Sequence, residues 1–268
     1  STYILDSDIS KINRGDSLLA VDDHFKKVFL KSYEIWELSQ GFFDPTVGSL
    51  VNAYGFGPEN RIKNFSKKQL DSLIELTGFS KVSLTSEGTI KKKYSNIYLD
   101  FNAIGKGYIV DLISELLISY DIKNFLIEIG GEIIAKGKNP NSGNFWKVAI
   151  DNPSQKNNRK LIKTIFLTNK ALATSGNYRK YRIDSLTGKK YVHTINPKNG
   201  KSFQSKILSV SVLASDCMTA DAWATALMVM PFQLSKSIIE SIEGIDAYWI
   251  LSNQKGYDEI FSSDWPDS

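Results

Sequence analysis

Between residues 125 and 213 the sequence breaks into short apolar segments of strand character, each halted by turn residues, and this pattern constrains the fold more than any other feature. Phe125–Ile129 and Ile133–Gly137 flank Gly130-Gly131, and Trp146–Ile150 follows the loop Asn139-Pro140-Asn141-Ser142-Gly143. Leu161–Thr168, Ala171–Thr174, Tyr191–Ile195 and Leu208–Leu213 are further strands, separated by turn chemistry such as Asn196-Pro197-Lys198-Asn199-Gly200. Helical periodicity brackets them. Asp22–Gln40 repeats Phe25, Val28, Phe29, Ser32, Ile35 and Trp36 at three- and four-residue steps and stops at Gly41. Ser66–Leu76 reads as a short helix with Ser66 as N-cap, and Tyr108–Tyr120 sets Ile109, Leu112, Ile113 and Leu116 on one face. Met218–Met230 is a helix rich in small residues, Leu234–Ile242 another helix, and Asp246–Leu251 a closing strand. Thr89–Asp100 alternates as a strand or hairpin arm, whereas Gly41–Gly48 is loop-like because Pro45 biases Asp44 away from helix. With no internal repeat and no low-complexity linker, one α+β domain over residues 1–268 is the economical fold, and 42% hydrophobic residues suffice for its core.

The charge pattern argues against a nucleic-acid partner. The 33 Lys and Arg alternate with 29 Asp and Glu without a long basic block, and the aromatics do not interleave with Arg. Cys217 is the only cysteine, so an internal disulfide and a Cys-rich zinc site are excluded. The longest apolar candidate, Ala222–Phe232, is shorter than the ~18 residues a membrane span needs and contains Thr225 and Pro231. Ser1-Thr2-Tyr3-Ile4-Leu5-Asp6 lacks the basic and apolar segments of a secretory signal, so the protein is either cytoplasmic or stripped of its leader.

Few residues are candidates for chemistry. Asp221 and Thr225 stand four apart in an alanine-rich helix and project from one face, offering the hard oxygens Mg²⁺ takes while keeping waters and phosphates. The same spacing also describes a solvated helix face. Lys106, between Gly105 and Gly107 at a strand-to-helix junction, suits an anion at the positive end of the helix dipole, or is a solvated lysine at a helix entry. A P-loop is rejected, because Asp100 and Gly107 occupy the positions that need Gly and Ser or Thr, and no dinucleotide-binding Gly-x-Gly-x-x-Gly follows a strand. His193 shares a strand face with Tyr191 and Ile195 and is either structural or a base; His24 reads as surface. Ser175-Gly176 marks a turn with exposed donors, and no Gly-x-Ser-x-Gly elbow is present for serine nucleophile chemistry.

Taken in order, these segments resemble the ApbE family. Asp8–Arg14 resembles its S-x-x-N segment and Gly41–Leu50 its G-x-F-D-P-T-V-G-P-L loop; Leu99–Asp111 is similar to D-L-G-x-I-A-K-G-Y-A-V-D. Glu128–Glu132 resembles L-G-G-D, Ala173–Tyr178 A-T-S-G-D-Y, His193–Gly200 H-I-I-D-P-x-T-G, and Ala220–Leu227 A-D-A-L-A-T-A-L. The resemblance spans nearly the whole chain. It implies a T-fold-like α+β domain of mixed and antiparallel sheets packed by helices, in which FMN passes from FAD to a threonine of an acceptor protein with release of AMP. Mg²⁺ would be held by Asp221, Thr225 and a carbonyl near Ala103. Lys106 and the following helix start would meet the FAD pyrophosphate, and Asp111 would face the adenosine part. Asp44, Thr46, Val47 and Gly48 would border the flavin, with Gly130, Gly131, Glu132, Ser175, Gly176 and Ile195 lining the cofactor. His193, Lys106 and Asp221 would be catalytic, His193 taking the acceptor's proton near the reacting phosphate.

Departures accompany the likeness. Family members begin with a leader, a Met-Gly-Thr strand and a helix that this chain is expected to lack; Asn102 and Gly105 replace Gly and Ala, and Asn177 and Asn196 replace aspartates. The resemblance further implies an exported, lipid-anchored protein facing the periplasm or cell exterior, with a flavin-carrying subunit of a membrane redox complex as partner. Two other functions share these motifs: a Mg²⁺-dependent FAD pyrophosphatase giving FMN and AMP, and a non-catalytic FAD-binding protein, which would not need Asp221, Thr225 or His193.

Overall fold

The structure, a computed structural model, describes residues 1–59, 61–62, 66–153, 161–177, 181–183, 190–202 and 205–266. Its elements in chain order are α1 (Asp8–Asn13), α2 (Asp23–Leu38), α3 (Gly48–Tyr54), α4 (Lys67–Glu75), β1 (Val82–Leu84), β2 (Ile90–Lys92), α5 (Asn102–Ser119), β3 (Phe125–Ile129), β4 (Glu132–Lys136), β5 (Trp146–Asp151), β6 (Leu161–Leu167), β7 (Lys170–Gly176), β8 (Tyr181–Ile183), β9 (Lys190–Val192), β10 (Ile207–Ala214), α6 (Cys217–Val229), α7 (Phe232–Ile239), β11 (Asp246–Asn253) and β12 (Gly256–Phe261). They form two compact units, Ser1–Ala103 with Tyr181–Phe203 and Ile104–Lys180 with Gln204–Ser268. No described helix is long and apolar enough to cross a membrane.

In the first unit α1 and α2 pack over the β1–β2 hairpin, with Ile12, Phe29, Phe79, Ile90, Ile97 and Leu99 at the centre. α2 is the helix its periodicity predicts: Asp22 accepts the Phe25 N–H at 2.7 Å, and Phe29 sets its ring 4.8 Å from that of Phe79. Ser66 caps α4 as expected, in a reciprocal box with Gln69. The predicted strand Thr89–Asp100 is cut to Ile90–Lys92, because side chains replace a sheet partner for the residues beyond. The Asn13 amide donates to the Leu99 carbonyl at 2.9 Å and accepts its N–H at 2.8 Å, and the Lys92 ammonium donates to the carbonyls of Ile12 and Ile97. Pairing of β8 with β9 ends at Val192, and Ile195 makes an isolated bridge to Ser202, so the expected strand Tyr191–Ile195 forms only over Tyr191–Val192 and its alternation stops short of His193. Asn196–Gly200 is the turn read from sequence: Asn196 Oδ1 accepts the Lys198 N–H, and its carbonyl accepts the Gly200 N–H, both at 2.8 Å.

The second unit is a six-stranded antiparallel sheet in the order β12-β11-β10-β7-β4-β3. Strand alternation divides it into two faces. Ile133, Ala135, Leu172 and Leu213 pack with Val148, Ile150, Ile165 and Leu167 of the β5–β6 hairpin, while Ile134 and Ala171 meet Val110 of α5 and Cys217 of α6. Both faces are covered, which is why β10 and β11 read as nearly unbroken apolar runs. α6 lies on β4, β7 and β10 and is buried all round except at positions such as Met218 and Thr225; its alanines permit that close seat.

Candidate active site

The sequence-derived candidates fall into two sets. The first unit holds Asp44, Thr46, Val47, Gly48, Ala103, His193 and Ile195; the second holds Lys106, Asp111, Gly130, Gly131, Glu132, Ser175, Gly176, Asp221 and Thr225.

In the first unit, Gly41–Gly48 is not wholly a loop: Pro45–Val47 makes one 3-10 turn and Gly48 opens α3. Pro45 does keep Asp44 extended, yet at a first helical position it also starts the turn that follows. Asp44 is buried and fastens this segment. Its carboxylate accepts the Thr46 N–H at 2.8 Å, the Thr46 hydroxyl and the Phe79 N–H at 3.1 Å, while the Thr46 hydroxyl accepts the Gly78 N–H at 2.7 Å. Burial holds the Asp44 carboxyl above its ordinary range in spite of those donors. Gly48 stands where a Cβ would come within 2.5 Å of the Tyr98 ring and 2.7 Å of its carbonyl oxygen. His193 is half-buried just past the end of β9, Ile195 is buried, and His24 is exposed.

In the second unit four elements converge on one cluster. α5 begins at Asn102, six residues before the predicted start, so Lys106 lies within the helix and not at a junction, and its backbone N–H is committed to the helix. Gly105 and Gly107 disguise the helix because glycine is a poor helix former. Gly130 and Gly131, both at positive φ, form the two-residue β3–β4 turn that sends Glu132 into the interior. Ser175 and Gly176 are not a turn: they continue β7 and pair with Val210 and Ser209 of β10, while β4 pairs with β7 only over Lys170–Leu172. Tyr178, in the same motif, lies outside the described residues.

The Lys106 ammonium bridges two buried carboxylates, contacting Glu132 Oε1 directly and lying 3.6 Å from Asp221 Oδ1. Asp221 Oδ2 accepts the Gly107 N–H at 3.1 Å. One helical turn on, Thr225 Oγ1 lies 3.4 Å from Ser175 Oγ. Glu132 Oε2 is buried with no hydrogen-bond partner among the described residues. With both carboxylates ionised, the single ammonium leaves one negative charge unmatched, and an unmatched buried carboxylate oxygen is costly. The donors are hard oxygens on one helix face, so the residues present suit a small divalent cation. No group of three His, Cys, Asp or Glu able to hold a metal occurs among the described residues; a cation that keeps its waters and substrate phosphates needs only one or two carboxylates.

Burial pushes the Asp221 carboxyl up to about 7, with Lys106 acting against the shift and Glu132 adding to it. Below about pH 7 the neutral acid is therefore favoured in the fold. In metal-free protein, the stability Asp221 contributes relative to Asp221→Asn is fully present below the unfolded-chain value near pH 4. It is lost as pH rises to about 7, by on the order of 4 kcal/mol in all. Urea titrations of both proteins across that range check this, and a difference that stays flat with pH would show that Asp221 ionises as freely as in the unfolded chain.

Asp111 is the candidate whose surroundings differ most from expectation. Its two carboxylate oxygens accept the N–H groups of Cys217 and Met218, each at 2.8 Å, and burial raises its pKa to about 6. Asp216 caps the next donor, the Thr219 N–H, at 2.8 Å. Three N–H groups at the start of α6 are thus met by fixed carboxylates, so this helix end is closed to a phosphate. Sequence reasoning missed this arrangement and the close helix contact at Gly107; a glycine inside a helical pattern was the available signal.

The sequence profile of the ApbE family matches residues 1–249. This chain belongs to the ApbE family. Its ApbE relatives include the FAD:protein FMN transferases of Vibrio cholerae, 37% identical over 267 residues covering 98% of this chain and 78% of that protein, and of Haemophilus influenzae, 34% identical over 264 residues covering 96% and 75%. Among solved ApbE structures, the flavin transferase of Vibrio cholerae superposes with a TM-score of 0.86 at 34% identity, covering 98% of this chain and 83% of that one. The apo flavinyl transferase of Pseudomonas stutzeri superposes at 0.84 with 29% identity, covering 98% and 81%. The expected α+β fold of mixed and antiparallel sheets packed by helices agrees with these ApbE structures, and every described strand pair in this chain is antiparallel.

Proposed function

We propose that this chain is an FAD:protein FMN transferase that moves FMN from FAD to a threonine hydroxyl of an acceptor protein, releasing AMP. The observation that carries the reading is the Lys106–Glu132–Asp221 cluster, built from α5, β4 and α6, in a chain of this family. Asp221 and Thr225, with a carbonyl near Ala103, are the residues we assign to Mg²⁺, which when bound would neutralise charge growing on the diphosphate. Lys106 brings a second positive charge, half exposed and able to turn from its carboxylates to a phosphate oxygen. Glu132 holds that ammonium in place until a phosphate competes for it. For His193 we keep the role implied by the resemblance, acceptor of the hydroxyl proton. Export and a lipid anchor belong to the same proposal, with a flavin-carrying redox subunit as acceptor.

Incubation with FAD, Mg²⁺ and a threonine-bearing peptide from such a subunit is expected to give a covalently fluorescent peptide and one equivalent of AMP. Free FMN with an unlabelled peptide would indicate a pyrophosphatase instead, and unchanged FAD a binding protein. Fractionation of the native host would test the location; a purely cytosolic protein contradicts it.

A further inference from the structure

We propose that Asp111 is a positioning residue, one half of a reciprocal clamp between α5 and α6 that fixes Asp221 opposite Lys106, rather than a contact for the nucleotide. The inference rests on the functional reading above for the roles of Asp221 and Lys106, but the clamp itself is a matter of geometry. Each helix lends a carboxylate to the other's backbone. Asp111, on α5, accepts the Cys217 and Met218 N–H groups at the start of α6, both at 2.8 Å; Asp221, on α6, accepts the Gly107 N–H of α5 at 3.1 Å. Between the two anchors the backbones nearly touch, since a Cβ on Gly107 would lie 2.3 Å from the Cys217 carbonyl oxygen. With both ends tied and no side chain between them, α6 can neither slide nor rotate against α5. Both Asp111 oxygens are already engaged, which argues against an adenosine role for this carboxylate.

Asp216 supplies a matched control. It caps the same helix through the Thr219 N–H, yet makes no bond to α5 among those described. Asp111→Ala and Asp216→Ala should both lower thermal stability through loss of α6 acceptors. Only Asp111→Ala should weaken Mn²⁺ binding to FAD-free protein, by roughly tenfold or more, the usual effect of removing a group that orients a ligand. Only that variant should also speed hydrogen exchange of the Gly107 amide. FAD affinity measured without metal should stay close to wild type. Asp111→Asn, which keeps the shape and one acceptor, should fall between, and serves if the alanine variant does not fold. A rise in the FAD dissociation constant with Mn²⁺ binding and Gly107 exchange unchanged would overturn the proposal in favour of a nucleotide contact. Equal effects from Asp216→Ala would reduce the clamp to ordinary helix stabilisation and overturn it too. Failure of the wild type to bind Mn²⁺ would count against the functional reading, while Gly107 exchange would still decide the clamp.

Discussion

Replacing Asp221 with asparagine is expected to lower FMN transfer by roughly 10³-fold while leaving the protein folded, the scale on which loss of one preorganised charge stabiliser acts. Asparagine keeps the shape of the side chain and an oxygen for the Gly107 N–H, so the α5–α6 contact survives. What disappears is the negative charge that would hold a cation one helical turn from Thr225. The same change relieves the fold of a carboxylate that burial has pushed up to about 7. Above neutral pH the inactive variant should therefore melt at or above the temperature of the wild type, a stability gain set against function. Initial rates of peptide flavinylation and a thermal melt at one pH test both halves. Near-normal turnover would remove Asp221 from the mechanism, and a marked loss of stability would mean that its charge serves the fold.

The second large effect concerns two glycines of one helix that should respond with opposite sign. A Cβ at Gly107 would meet only backbone: 2.3 Å to the Cys217 oxygen, 2.6 Å to its carbonyl carbon and 2.8 Å to the Met218 Cα. Nothing there can rotate aside, so α6 must move as a body, and α6 is packed against the sheet. Gly107→Ala should cost about 3 kcal/mol, toward the upper end for overpacked cores, which for a chain this long is a fall of roughly 6–12 °C in melting temperature. At Gly105 no atom lies within 4 Å of the added carbon, and the backbone is helical. Gly105→Ala should accordingly stabilise by about 0.5–1 kcal/mol. Calorimetry of both variants provides the comparison; equal shifts would mean that the closeness of α5 and α6 is not what demands glycine at position 107.

Legibility in the sequence followed local pattern. α2, α4 and α6 could be read because their apolar spacing and caps are local, and β4, β10 and β11 because strands covered on both faces announce themselves as apolar runs. The misreadings have equally physical causes. α3 was hidden by Pro45, which is hostile to the residue before it and favourable to the turn it starts. The early part of α5 was hidden by its glycines. β8 and β12 escaped notice because short, exposed edge segments carry little pattern.

The sequence by itself determined the family, the reaction class and the oxygen-bearing face of α6, because Asp221 and Thr225 are related by helical period alone. Tertiary structure alone decided how those groups are coupled. Lys106, Glu132 and Asp221 come from segments far apart in the chain, and no local pattern reveals that one ammonium serves two buried carboxylates. The same holds for Asp111, whose oxygens are committed to another helix 106 and 107 residues away. Hydrogen bonds across such separations depend on how helices dock, and docking is set by packing that the order of residues does not display.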